Sequence, residues 1–209
     1  MDVIEALKWR YAVKKFDPTK KLSPLQVDRL LDGLCLTATS MGMQLMEFLV
    51  VGDAKLKEKL LPYAYNQPQI TDCSHLFIMC RKSTVKWEDI RELIDLTSSK
   101  RGIEKNDLEG FEQMLASSLQ MSPAQQATWM ENQVYIAMGN LMTICAVEQV
   151  DACPMEGFNN AALDDFLNLN KKGLNSVLLC AVGYRSKEDK YDGLKKVRRS
   201  KNKLVTFLD

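Results

Sequence analysis

The chain has 209 residues, 46% of them hydrophobic, which supports one sizeable core with little room for two. Its 28 Lys and Arg against 27 Asp and Glu give a formal net charge of only +1. The single histidine, His75, excludes a His-rich metal centre and leaves a Ser/His/Asp triad one candidate base.

The elements follow in chain order. Asp2 and Glu5 have capping-box spacing, so a helix is predicted to start at Asp2 and to end near Arg10. Phe16-Asp17-Pro18 then forces an extended or turning backbone, because the residue before proline avoids the helical region. Ser23-Pro24 opens a second helix, continued by Val27, Leu30, Leu31 and Leu34 at helical spacing. Phe48–Val51 reads as a strand, residues 55–61 as a short helix and Leu76–Cys80 as a buried strand opened by His75. Residues 85–120 are helical in tendency, with a break around Ser98–Gly102. Ser122-Pro123 begins the longest helix, predicted to run to about Val150 with a broad apolar face suited to a core or a subunit interface. Ala161–Leu169 is a further helix and Ser176–Val182 a third strand. Leu204, Val205, Phe207 and Leu208 suggest an edge strand. Helices and strands are mixed without a linker or repeat, which gives an α+β class in one domain, residues 1–209.

No stretch approaches transmembrane length, and charges run through the first ten residues, so neither a membrane span nor a secretory signal is expected. The six cysteines lack a CxxC pair and mostly lie in apolar runs, as buried reduced thiols of a cytoplasmic protein would. Eleven methionines suit adaptable packing or a plastic pocket.

Charge is distributed unevenly. Residues 8–21 carry a net +5 and residues 195–203 a net +6, set against an acidic remainder. A terminal basic run is commonly a solvated tail or a loose patch for nucleic acid or membrane. The first run, however, sits between a helix end and a turn, where Arg10 and Lys14 could meet a ligand. Arg and Lys bind phosphate strongly, so if the two ends meet in the fold they form one anion site. Three loops could add to it. Pro154-Met155-Glu156-Gly157-Phe158 contains a glycine that permits close backbone approach, Tyr65-Asn66-Gln67-Pro68-Gln69 offers amides, and Thr39-Ser40-Met41-Gly42-Met43-Gln44 is small and polar.

Taken in order, the elements Arg10-Tyr11-Ala12-Val13-Lys14-Lys15-Phe16, Ser40-Met41-Gly42-Met43-Gln44, Asn66 with Asp72-Cys73-Ser74-His75, Pro154–Phe158 and Lys196-Val197-Arg198 resemble the nitroreductase family of FMN-dependent NAD(P)H oxidoreductases, nearly end to end. The resemblance implies a nitroreductase-like fold: a central mixed, mainly antiparallel sheet flanked by helices. It also implies an intertwined homodimer with two FMN sites at the subunit interface, the C-terminal tail reaching over the partner. By the same resemblance Arg10, Lys196 and Arg198 hold the FMN phosphate, with Tyr11 and Ala12 alongside, and Lys14 lies near the pyrimidine edge of the ring. Asn66 and Gln69 belong to the ring or ribityl region. Pro154, Glu156 and Gly157 bring backbone N–H groups near N5, and Thr39, Ser40 and Gly42 arrive from the other subunit. Departures are Ala12, where members often carry Ser, Gln69, where some carry Lys, and Leu45-Met46-Glu47, where Pro-Trp is common. Residues 100–122 align poorly with the stretch that tends to cover the substrate pocket.

The implied activity is reduction of a nitroaromatic, quinone or flavin-type acceptor by NADH or NADPH in a ping-pong cycle through flavin N5. It needs no catalytic side chain, no metal, no nucleic acid and no membrane. The alternative is an FMN-binding protein of the same fold with a different acceptor or no turnover.

Overall fold

The computed structural model describes residues 2–208. Four strands, β1 (Met46–Val51), β2 (His75–Lys82), β3 (Asp151–Met155) and β4 (Leu174–Gly183), form one sheet in the order β1-β2-β4-β3, with every neighbouring pair antiparallel. The central strands are apolar at consecutive positions, so both faces of the sheet need a cover. Side chains alternate between faces. Leu76 and Ile78 of β2 join Leu179 and Ala181 of β4 on one face, while Phe77 and Met79 join Cys180 and Val182 on the other.

Nine α-helices occur among the described residues: α1 (Val3–Trp9), α2 (Pro24–Cys35), α3 (Ala54–Leu60), α4 (Gln69–Asp72), α5 (Trp87–Arg101), α6 (Glu109–Ala116), α7 (Pro123–Val147), α8 (Asn160–Leu167) and α9 (Lys201–Leu204). Capping boxes start two of them, Ser23 with Gln26 at α2 and Ser122 with Gln125 at α7, each with proline just inside. Helices α2 and α7 cover the Phe77 face through Leu30, Leu34, Val134, Ala137, Leu141 and Cys145. The shorter helices cover the opposite face through Leu60, Ile70 and Leu163, together with Phe16 and Phe158. A third cluster packs Ile90, Ile94, Leu108 and Leu115 of the 85–121 excursion onto Met130 of α7. A fully buried aromatic such as Phe77 is worth about 3–5 kcal/mol against alanine in such a core.

Three expectations are corrected. The loop expected at Pro154-Met155 is in part strand β3, which pairs only with β4 and so lies at an edge that tolerates a proline. The edge strand expected over Leu204–Leu208 does not form. Residues 201–204 make a helical turn, and Val205, Phe207 and Leu208 are exposed with no strand beside them. Helix α7 stops at Val147 rather than Val150, because Gln149 takes a positive φ of 55° and turns the chain into β3.

His75 begins β2 half-buried, its Nδ1 3.0 Å from Ser74 Oγ. Burial lowers its pKa from 6.5, and the charges of Lys57 and Lys21 lower it further. The folded imidazole thus binds its proton less readily than the unfolded one, and stability declines as pH falls from 6.5 through the folded pKa. A proton NMR titration of this sole histidine should give a midpoint below 6.5; a midpoint at or above that value contradicts the buried, cation-facing placement.

Candidate cofactor site

The segment between α1 and Pro18 is an extended arm, with Arg10 at φ −69° and ψ 144°. It is sewn to β3 and to the chain that follows β4. Ala12 bridges Ala152 in parallel fashion and Phe16 bridges Arg185 in antiparallel fashion. Asp17 N donates to Tyr184 O at 2.8 Å, and Ser186 N to Lys15 O at 2.9 Å. Close packing at the crossing demands a glycine, since a Cβ on Gly183 would sit 2.9 Å from Ser74 N and 3.1 Å from Phe16.

Two buried carboxylates complete the join. Asp189, 5% exposed, accepts from Lys14 N at 2.7 Å and Lys15 N at 2.9 Å through Oδ2, and from Tyr191 N at 2.8 Å through Oδ1. Asp151, 4% exposed, takes Arg185 in a fork, Nε at 3.0 Å and Nη2 at 2.7 Å from Oδ1. Arg185 Nη1 donates to Asp192 at 2.8 Å, and its guanidinium carbon lies 4.4 Å from the Trp9 ring centre and 4.5 Å from that of Tyr11.

The result is a cavity of about 610 Å³ that gathers Arg10, Tyr11, Ala12, Lys14, Lys196 and Arg198. Residues nearly two hundred positions apart share its wall, and Lys196 Nζ donates to the Arg10 carbonyl. The pKa of Arg10 is lowered, first by burial and then by the charge of Arg198. That of Lys196 is lowered by burial and by Arg10 and Arg198. Burial and like charge dominate both shifts. Arg10 Nε and Tyr11 Oη are buried without a hydrogen-bond partner. Converging cations with orphaned donors suit a multiply charged anion.

The other predicted residues fall around this cavity or apart from it. Lys14 Nζ rests 3.4 Å from Cys153 Sγ of β3, beside Pro154. Just past β3, Gly157 O accepts from Gln67 Nε2 at 2.7 Å, which ties the Asn66 turn to the Glu156-Gly157 turn. Glu156 Oε1 accepts from Tyr135 Oη of α7 at 2.8 Å. Asn66 is exposed with a positive φ of 54°, whereas Gln69 is buried in α4. Thr39, Ser40 and Gly42 form a separate turn, where Ser40 N donates to Gln133 Oε1 of α7 at 2.7 Å, and none of them lines the Arg10 cavity. Sequence reasoning missed Trp9, Asp151, Arg185 and Asp189. Asp151 meets Arg185, and Asp189 meets the Lys14–Lys15 backbone, across more than thirty residues, and no spacing announces such pairs.

Comparison with known proteins bears on this site. The sequence model of the Nitroreductase family matches residues 7–184. The chain is 28% identical to the oxygen-insensitive NAD(P)H nitroreductase of Salmonella typhimurium, covering 95% of each chain. It is 27% identical to the major NAD(P)H-flavin oxidoreductase of Aliivibrio fischeri, covering 99% of this chain and 98% of the other. Among solved structures, a protein assigned as a nitroreductase from Exiguobacterium sibiricum, in complex with FMN, shares the fold. Its TM-score is 0.84 at 19% identity, over 100% of this chain and 98% of that one.

A multiply charged anion binding only the folded state raises the melting temperature. Inorganic phosphate is expected to stabilise the flavin-free protein in a thermal melt and to lose that effect in Arg10→Ala. Equal stabilisation of both proteins would refute the anion site.

Proposed function

We propose, from the premise that this chain belongs to the nitroreductase family, that it is an FMN-dependent oxidoreductase that draws on NADH or NADPH to reduce nitroaromatic, quinone or flavin-type acceptors. The observation that carries the reading is the cavity that joins Arg10 to Lys196 and Arg198, with Arg10 Nε and Tyr11 Oη unsatisfied. Its chemistry fits a phosphate monoester. Bound there, FMN would supply two-electron hydride chemistry between a nicotinamide and an acceptor.

The chain's own residues then bind and orient. Arg10, Lys196 and Arg198 hold the phosphate, with Tyr11 and the Ala12 backbone beside them. The Lys14 ammonium would serve the pyrimidine edge, where a cation favours negative charge. Asn66 and Gln69 serve the ring or ribityl region. Pro154 sets the course of the turn that presents the Glu156 and Gly157 backbone N–H groups towards N5. Tyr135 supports this turn by its bond to Glu156. Side-chain acid–base chemistry is not required, and protons come from water.

The reading takes residues 1–209 as one FMN-binding domain that works as a homodimer. Support comes from apolar side chains the single chain leaves uncovered: Phe207 is 85% exposed, Leu208 93%, and Ile136 on α7 50%. In the dimer the C-terminal tail lies on the partner, and Thr39, Ser40 and Gly42 serve the partner's FMN.

The visible spectrum of the purified or FMN-reconstituted protein tests the proposal. A yellow protein that bleaches on anaerobic addition of NADH or NADPH is the expected result. One that stays yellow refutes nicotinamide-driven turnover, and one that takes up no FMN refutes the cofactor. Arg10→Ala combined with Arg198→Ala should weaken FMN binding by about a hundredfold or more, since each charged hydrogen bond contributes roughly 1.5–3 kcal/mol. Undiminished flavin occupancy in that variant would place the phosphate elsewhere.

A further inference from the structure

We infer that Arg185 is the positioning residue of the anion site: it fixes the direction of Arg10 by holding the aromatic residues on either side of it. The inference rests on the FMN reading above. Trp9 closes α1 and Arg10 takes an extended backbone, and the rings of Trp9 and Tyr11 on either side of Arg10 both meet Arg185. The guanidinium of Arg185 lies 4.4 Å from one ring centre and 4.5 Å from the other, so a single planar group grips both neighbours of Arg10. Rotation of the arm about its own axis would break both contacts.

Arg185 is itself immobilised. Its Nε and Nη2 are engaged by Asp151, its Nη1 by Asp192, and its backbone N donates to Asp151 Oδ2 at 2.7 Å. Its charge is matched by these carboxylates, so it adds little attraction for an anion. The unmatched charge belongs to Arg10, whose buried Nε has no partner in the protein. Arg185 therefore acts through Arg10.

Lysine cannot substitute, because its ammonium is a point charge that offers neither a fork for Asp151 nor a flat face for two rings. Riboflavin, which lacks the phosphate, separates positioning of Arg10 from general damage to the ring subsite. The experiment is a fluorescence titration of flavin-free protein with FMN and with riboflavin, for wild type, Arg185→Lys, Arg10→Ala and the combination. Arg185→Lys should weaken FMN about tenfold, the scale on which supporting partners act at other sites, and leave riboflavin unchanged. In the Arg10→Ala background it should change FMN binding no further, because the residue it positions is gone.

Wild-type FMN affinity in Arg185→Lys overturns the inference. So does equal weakening of both flavins, which marks a merely structural role, or an undiminished effect alongside Arg10→Ala. A wild-type protein that binds neither flavin overturns the FMN reading itself. If a circular dichroism melt finds Arg185→Lys unfolded, Arg185→Met with Asp151→Asn takes its place. That pair removes the buried carboxylate together with its cation, and the same outcomes apply.

Discussion

Two buried carboxylates hold the basic ends of this chain together, and the candidate site depends on them. Like charges about 4 Å apart near a protein surface repel by about 4 kcal/mol, so Arg10, Lys196 and Arg198 do not converge unaided. Asp189 binds the backbone of the arm through Lys14 N and Lys15 N, and Asp151 binds Arg185 in a fork. A buried ion pair contributes little net stability relative to an apolar replacement, but breaking one half of it costs about 3–5 kcal/mol. Its effect here is geometric. The carboxylates fix where the arm runs and leave the other cations facing a common cavity.

The sheet decides where that cavity lies. Because helices cover both faces, a ligand cannot reach the centre of the sheet and must bind at its border. Strand β3 is one border, paired on a single side with β4, and the arm lies along it through the bridge from Ala12 to Ala152. Pro154 is compatible with an edge and would disrupt a central strand. Helix α7 then links the remaining loops: Gln133 holds the Ser40 turn and Tyr135, two residues on, holds Glu156. One long helix thus positions turns separated by more than a hundred residues.

Local signals made most of the elements legible in the sequence. Ser-Pro steps announced α2 and α7, and the apolar runs announced β1, β2 and β4. Strand β3 was hidden because Asp151 and Pro154 disguise its apolar residues, and its conformation comes from pairing with β4 rather than from propensity. The tail misled in the other direction: its apolar residues have strand-like composition, but no strand lies beside them. At the site, the cationic residues stood out through charge density and order along the chain. Trp9, Asp151, Arg185 and Asp189 did not, because each acts through a partner that only the fold supplies.

The central claim is that the two ends of the chain build one phosphate site. A crystal structure of the FMN-reconstituted protein tests it most directly. The FMN phosphate is expected within hydrogen-bonding distance of Arg10, Lys196 and Arg198, with Arg10 Nε now partnered. A phosphate held elsewhere, with Arg10 Nε still unpaired, would contradict it.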